Sequence, residues 1–455
     1  MKRFIIISIL FVLVLIPILL VEASSVKKNQ EKAGPAEIQI ESEPNLNIHE
    51  GYVSQEEETV IVKQGEKTVA TIHLSKPVMV AQAEQKEKWG FFQFPSIGIA
   101  ENGTLIVSWK MAEDTYQAHG TKSGRERKPM MSKDGGLTWL PQNKEYFAKR
   151  RSYNVYMRNG DMLQVNSPGN KNIHSYVSFP KAVAVDGNQS FYKHDSLPED
   201  LQGIYFDFKK KGEKTKKLHA QLRDTGLLRY ALDSLMRVVW WGSIKELSDN
   251  SLIAGVYPTF YQDNNGNISK GGVTFYRSQD EGNVWSVIGR IPFMEDEITR
   301  RNNVKSFEEP DFEILSDSTI VCVMRTGDTS PMYQCLSNNL GESWTRPKPF
   351  TPNGVKPRML LLKNGVLALV SGRPGIQLRC CFDGKGDKWS EPIEMIPFVR
   401  KNGRNRVFLS CGYASIQESG INSFYLVYSD FTTKNKYGKE RKSIWFRNIE
   451  VTPSN

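Results

Sequence analysis

Short apolar runs recur along this chain, each introduced by a polar turn. Six turns carry the pattern: Asn102-Gly103, Asn159-Gly160, Asp249-Asn250, Asp317-Ser318, Asn364-Gly365 and Ser419-Gly420. The runs behind them extend from Leu105-Ile-Val107 after the first turn to Phe424-Tyr-Leu-Val427 after the last. Asn-Gly or an Asp-led pair between apolar stretches predicts a tight β-hairpin, because such residues supply the backbone angles that the turn requires. Successive turns lie 57, 90, 68, 47 and 55 residues apart. The long second interval predicts an insertion between Ser167 and Trp241.

A second repeat runs beside the first. Ser132-Lys-Asp134-Gly-Gly136-Leu-Thr-Trp139 returns as Ser278-Gln-Asp280-Glu-Gly282-Asn-Val-Trp285 and as Ser337-Asn-Asn339-Leu-Gly341-Glu-Ser-Trp344. A worn fourth copy, Phe382-Asp-Gly384-Lys-Gly386-Asp-Lys-Trp389, keeps the glycine and the tryptophan. In each copy the Asp or Asn can bond the backbone ahead of it, glycine supplies positive φ, and tryptophan anchors the next strand. Self-similarity at this interval marks a repeat architecture. One hairpin plus one such turn per interval makes a four-stranded propeller blade. The expected fold is all-β: a six-bladed β-propeller of four-stranded antiparallel blades over residues 91–455, with an insertion after the second hairpin. A β-sandwich or a string of unrelated hairpins is the competing reading, disfavoured by the regular spacing. The phrase S-x-D-x-G-x-x-W resembles the Asp box of the sialidase (neuraminidase) superfamily, also called the BNR repeat, and Trp139, Trp285 and Trp344 are then expected to be core anchors.

The N-terminal region is of another kind. Residues 1–23 combine Lys2-Arg3, an apolar run from Phe4 to Val21, and Val21-Glu22-Ala23. They read as a secretory signal or as a retained membrane anchor. Residues 24–55 are polar, contain Pro35 and Pro44, and read as a linker. Within 56–90, Thr59–Val62 and Val69–Leu74 read as strands that form a small hairpin or lend a strand to close the ring of blades. The expected location is secreted, periplasmic or cell-surface, with membrane contact only if the apolar segment is kept. The five cysteines are too few for a disulfide framework, although Cys322 and Cys335 flank one turn and could pair. Neither a Cys/His metal spacing nor a G-x-S-x-G elbow is present, so neither metal nor cofactor is implied. The net charge of +10 favours anionic partners only as a general field. Lys209-Lys-Lys211 and Lys214–Lys217 read as a solvated loop, since no stacking aromatics interleave them as nucleic-acid binding would require.

In a propeller the inner strands converge at one face, so functional residues should occupy equivalent places in each repeat. Lys110 and Arg325 stand eight positions after their turns, and Arg373 nine. Three cations at one level make an anion clamp, or else are rim salt-bridge partners. Glu309 precedes the fourth hairpin and Tyr413 the sixth. A carboxylate beside a phenol can take its proton and make it a nucleophile; the competing reading of Tyr413 is an ordinary half-buried strand tyrosine.

The stretch Glu309–Arg325 resembles the sialidase segment in which a catalytic Glu leads a strand-turn-strand and a clamp Arg closes it. Gly412-Tyr413-Ala-Ser-Ile, followed by Phe424-Tyr-Leu-Val-Tyr428, is similar to the family's nucleophile-bearing last blade. Arg373 stands where a second clamp Arg is expected, with Arg358 as a rival. The family's general acid is an Asp between the first hairpin and the first box; Asp114 is the best match, with Glu113 and His119 as fallbacks. The family's Phe-Arg-Ile-Pro-like motif reads Phe92-Gln93-Phe94-Pro95 here. Gln93 hydrogen-bonds but does not neutralise, and losing one charge-assisted contact costs about 1.5–3 kcal/mol of binding. The resemblance implies an exo-alpha-sialidase-type glycoside hydrolase acting on an acidic glycan. Gln93 keeps two alternatives open: a propeller glycosidase or lyase for another uronate or neutral sugar, or a non-catalytic glycan-binding module using Trp240, Trp241 and Tyr257.

Overall fold

The computed structural model describes residues 37–40, 56–83, 93–110, 129–142, 148–150, 154–238, 240–327, 330–373, 375–396, 400–401, 404–405, 410 and 412–454. The signal or anchor segment, the loop carrying Glu113, Asp114 and His119, and Cys411 lie outside them.

Each of the six turns joins two consecutive antiparallel strands. The pairs are Gln93–Ala100 with Leu105–Lys110, Asn154–Tyr156 with Met162–Val165, and Trp241–Glu246 with Leu252–Tyr261. They continue as Glu308–Ile314 with Ile320–Arg325, Val355–Leu361 with Leu367–Gly372, and Ala414–Glu418 with Ser423–Lys434. Further antiparallel strands extend each pair; the fourth and fifth pairs grow into free-standing four-stranded sheets. The sixth is completed from the other end of the chain: Lys67–Leu74 pairs with Glu440–Pro453, Ala70 lying opposite Pro453. Among the described residues the one α-helix is Glu297–Arg301, so the all-β expectation holds.

The first strands of the six pairs are neighbours in chain order. The second packs on the third, the third on the fourth, the fourth on the fifth and the fifth on the sixth; the sixth packs on the first. The first reaches the second through Ala148–Arg150. Apolar residues are buried between neighbouring sheets and not in one central mass. Phe275 and Phe312 pack between the third and fourth sheets, and Val321, Leu369 and Trp389 between the fourth and fifth. Polar ties cross the same seams near the middle. Asp311 accepts from the Met359 amide at 2.7 Å and from the Ser243 hydroxyl, and Lys245 pairs with Glu313 at 2.8 Å.

The box turns fold as their residues suggest. In the first three copies the serine hydroxyl accepts from the glycine amide at 2.8–2.9 Å, and the indole N–H donates to the glycine carbonyl at 3.0 Å. Trp285 is wholly buried, but Trp139 and Trp344 are only half-buried, so one of the three is a full core anchor. The worn copy keeps more than its glycine and tryptophan: one residue out of register, the Cys381 thiol donates to Asp383 at 2.9 Å, and Asp383 in place of a serine accepts from the Gly386 amide at 3.0 Å.

Three other expectations change. The presumed linker contributes a strand, Glu37–Ile40, paired with Glu58–Gln64; its polar-apolar alternation suits an edge position. Cys322 and Cys335 face each other across neighbouring strands, yet both are free, buried thiols. The 90-residue interval is not one insertion but two pieces around a native hairpin. Ile204–Lys209 and Lys216–Arg223 extend the second sheet. The segments 169–193 and 227–238 pair with each other as a small extra sheet. The lysine run lies at the turn of that native hairpin, where Lys217 meets Asp207 at 2.5 Å and Lys216 meets Glu213 at 3.1 Å.

Candidate functional site

Three strand pairs share a local irregularity at one end. In each, a residue with left-handed backbone precedes a proline at a shift in strand register: Phe94 (φ 54°) before Pro95, Glu309 (φ 46°) before Pro310, and Lys356 (φ 48°) before Pro357. Proline donates no hydrogen bond, and a bulge re-aims the side chain beside it. Left-handed φ in a non-glycine residue costs about 1–3 kcal/mol, and such positions cluster where function needs them.

All three converge on Tyr413. The Tyr413 hydroxyl donates to Glu309 Oε1. Arg325 Nη1 donates to Glu309 Oε2 at 3.0 Å and lies 3.4 Å from the Tyr413 oxygen. The Lys356 amide donates to Glu309 Oε2 at 3.1 Å, and its ammonium stands 5.8 Å from the centre of the Tyr413 ring. Phe94 meets that ring edge-on with centroids 4.6 Å apart. Glycines allow the close approach of the strands. A Cβ on Gly412 would sit 2.6 Å from Arg373 Cγ, and one on Gly372 would sit 2.2 Å from the Gly412 carbonyl oxygen.

The electrostatics follow from this geometry. Burial opposes ionisation of Glu309, but Lys356, then Arg325, then the Tyr413 hydroxyl outweigh it and hold its pKa below the usual carboxylate value. Burial first, and the Glu309 charge second, push the Tyr413 phenol well above its usual value, with Arg325 and Arg373 pulling the other way. Glu309 likewise raises Arg325 in spite of its burial. The resting site is therefore a carboxylate holding a neutral phenol, flanked by fixed cations.

Of the residues singled out from sequence, Glu309, Arg325 and Tyr413 are in mutual contact, and Arg373 is close enough for its charge to act on the phenol. Gln93 is buried one residue before Phe94 and lies opposite Lys110, on the rung that Glu308 and Arg325 occupy in the fourth pair. Arg358 lies opposite Val370, inside its sheet, and no described contact ties it to Glu309 or Tyr413. Lys356 and Phe94 were missed. Their signal was present: Phe94-Pro95 and Lys356-Pro357 precede their turns as Glu309-Pro310 precedes its own.

No protein-family model matches the chain, and no curated protein matches it in sequence. Solved structures do resemble it. A protein of unknown function from Dyadobacter fermentans DSM 18053 matches with a TM-score of 0.54 at 17% identity, over 84% of this chain and 99% of that one. A Hadza microbial sialidase matches with a TM-score of 0.44 at 13% identity, over 86% and 72%. An alpha-L-arabinofuranosidase from Fusarium graminearum, bound to an iminosugar inhibitor, matches at 0.45 and 12% identity, over 83% and 98%. The first likeness is one of fold; the other two are more distant, and nothing about activity follows from them.

Proposed function

We propose that the chain is a six-bladed propeller glycoside hydrolase of the sialidase type, exo-acting, retaining, and secreted, periplasmic or held at the cell surface. The cyclic neighbour order of the six strand pairs and the completion of the last sheet by Lys67–Leu74 support the six-bladed reading. The observation that carries the activity is the Tyr413–Glu309 hydrogen bond beside Arg325. Sialidases stand apart among glycosidases in using a tyrosine nucleophile.

In this reading the anionic group of the terminal sugar binds at Arg325 and Arg373. Its charge offsets the pull of Arg325 on Glu309, which makes the carboxylate a better acceptor for the phenolic proton. As that proton passes to Glu309, the Tyr413 oxygen attacks the anomeric carbon. The bond to the leaving oxygen breaks, and Asp114 supplies the proton that oxygen needs. Asp114 then takes a proton from water, the water oxygen displaces Tyr413, and the phenolate recovers its proton from Glu309.

A second reading changes only the sugar. Gln93 at the first-sheet rung and Lys356 beside the dyad distribute cations differently from the family pattern, which suits another acidic sugar. The test is release of free sugar by the purified protein from a fluorogenic sialoside and a sialylated glycan, with Tyr413→Phe alongside. Loss of turnover in the variant is expected. Unchanged turnover in Tyr413→Phe would refute the mechanism, and release from uronate-capped glycans alone would select the second reading.

A further inference from the structure

Candidate site residues lie where the second strand of a sheet ends. Ile320–Arg325 closes on Arg325, Leu367–Gly372 is followed directly by Arg373, and Leu105–Lys110 precedes in sequence the segment that carries Asp114. The sixth sheet departs from this. Ala414 lies opposite Tyr428, which sets Tyr413 level with Ser429, but the second strand, Ser423–Lys434, runs on to Lys434. There the chain turns and comes back as Glu440–Pro453, with Lys434 opposite Glu440. One residue is taken up by the register shift between Asp430 and Thr433. At about 3.3 Å per residue, the turn then stands roughly 15 Å beyond Tyr413 along the strand.

The base of this projecting hairpin is braced. Asp430 accepts from the Thr432 amide at 2.7 Å and from the Thr433 hydroxyl at 3.0 Å. The Trp445 indole donates to the Thr433 hydroxyl at 3.0 Å. The Lys442 ammonium lies 3.8 Å from the centre of the Phe431 ring, and both residues are buried. At the turn the Asn435 side chain accepts from the Tyr437 and Lys439 amides at 3.0 and 3.1 Å, and Gly438 supplies a positive φ of 73°.

What the tip presents is charge. Lys434, Lys436 and Lys439 are exposed, and no carboxylate interrupts the stretch from the first to the last. None of the three forms an ion pair with a described residue. Lys436 lies instead 5.1 Å from the centre of the Tyr437 ring, and Tyr437 is itself 60% exposed. An exposed ammonium attracts a single carboxylate weakly, since water and salt screen the pair. Several ammoniums at fixed spacing hold a chain of carboxylates far better, because one bound group keeps the next within reach.

We propose that this hairpin is a docking arm for a carboxylate-bearing polysaccharide. Lys434, Lys436 and Lys439 hold acidic sugars of the polymer and Tyr437 lies against a sugar face, while the polymer's end residue occupies the site at Tyr413 and Glu309. Nucleic acid also answers to lysines beside an aromatic ring. The place of the arm, at the Tyr413 end of the sixth sheet, favours the glycan. The inference rests on the glycosidase reading and adds to it a preference for acidic polymers over short substrates.

The test compares the full chain with a triple variant, Lys434→Ser, Lys436→Ser and Lys439→Ser. Binding to immobilised polysialic acid, polygalacturonic acid and duplex DNA is measured by surface plasmon resonance at about 50 mM and about 300 mM sodium chloride. Turnover of a fluorogenic sialoside and a fluorogenic galacturonide is followed alongside. One of the two polysaccharides is expected to bind the variant roughly tenfold more weakly at the lower salt, with the gap narrowing at the higher. Turnover of the small substrates stays unchanged, and a triple lysine-to-arginine variant keeps the parent's affinity. Equal binding by parent and serine variant, or binding of neither polysaccharide, would overturn the arm and leave the glycosidase reading standing. DNA bound as tightly as the polysaccharide, with the same loss in the variant, would overturn the assignment to a glycan. Lysine-dependent binding of a polysaccharide without turnover of any small substrate would instead remove the glycosidase reading and leave the arm as a binding site.

Discussion

Replacing Glu309 by Gln keeps the shape and a carbonyl oxygen for the Tyr413 hydroxyl but removes the charge that can accept its proton. The Tyr413 oxygen touches Glu309 directly, and among the described residues Glu309 is the only carboxylate that it touches. A positioned base of this kind contributes about 10²–10⁴-fold, equivalent to roughly 3–5.5 kcal/mol of barrier. Glu309→Gln should therefore lower kcat by two to four orders of magnitude on a substrate that the parent protein hydrolyses, with a much smaller change in KM. A second signature separates this from general damage. Burial raises the Tyr413 pKa first, and the Glu309 charge raises it further, while Arg325 and Arg373 lower it. With the Glu309 charge gone, burial still opposes ionisation but the two guanidinium groups do not have to overcome the carboxylate. Tyr413 then ionises at lower pH than in the parent, and the residual rate of the variant rises with pH through the alkaline range. Initial rates from pH 5 to 10, with tyrosinate absorbance followed in parallel, read both effects. A Glu309→Gln enzyme with kcat within threefold of the parent, or a residual rate flat in pH, would refute the assignment of Glu309 as the base for Tyr413.

Lys356→Met should move the acid limb of kcat/KM to higher pH. The Glu309 pKa is depressed, with Lys356 the largest of the groups opposing its burial, so without that charge Glu309 becomes protonated earlier as pH falls; Lys356→Arg should restore the limb, and an unmoved limb in Lys356→Met would exclude this role. Trp285→Ala should cost about 3–5 kcal/mol in equilibrium unfolding by urea, because Trp285 is wholly buried against Trp240 and Phe206 and donates to the Gly282 carbonyl. Trp139→Ala, at a half-buried position, should cost clearly less, and equal losses would contradict the distinction between the two box turns.

What the chain determined by itself is local. Turn pairs such as Asn102-Gly103 and Asn364-Gly365, with the apolar runs behind them, predicted every one of the six hairpins, because turn chemistry and strand alternation act over a few residues. The recurring Ser-x-Asp/Asn-x-Gly-x-x-Trp phrase predicted its own hydrogen bonds for the same reason. The tertiary structure decided which side chains meet. Glu309 and Tyr413 are 104 residues apart and touch because the strands that carry them belong to sheets packed around a shared end. Bulges at Phe94, Glu309 and Lys356 then turn those side chains toward one point. No local pattern shows that Lys356 stands beside a carboxylate from the preceding sheet, or that the long interval is divided by a native hairpin. Likewise Trp240 and Trp241 are adjacent in sequence, but only packing buries the first and leaves the second half-buried against Tyr257. Such decisions depend on how each sheet seats against its neighbours, and that is set by contacts between distant parts of the chain.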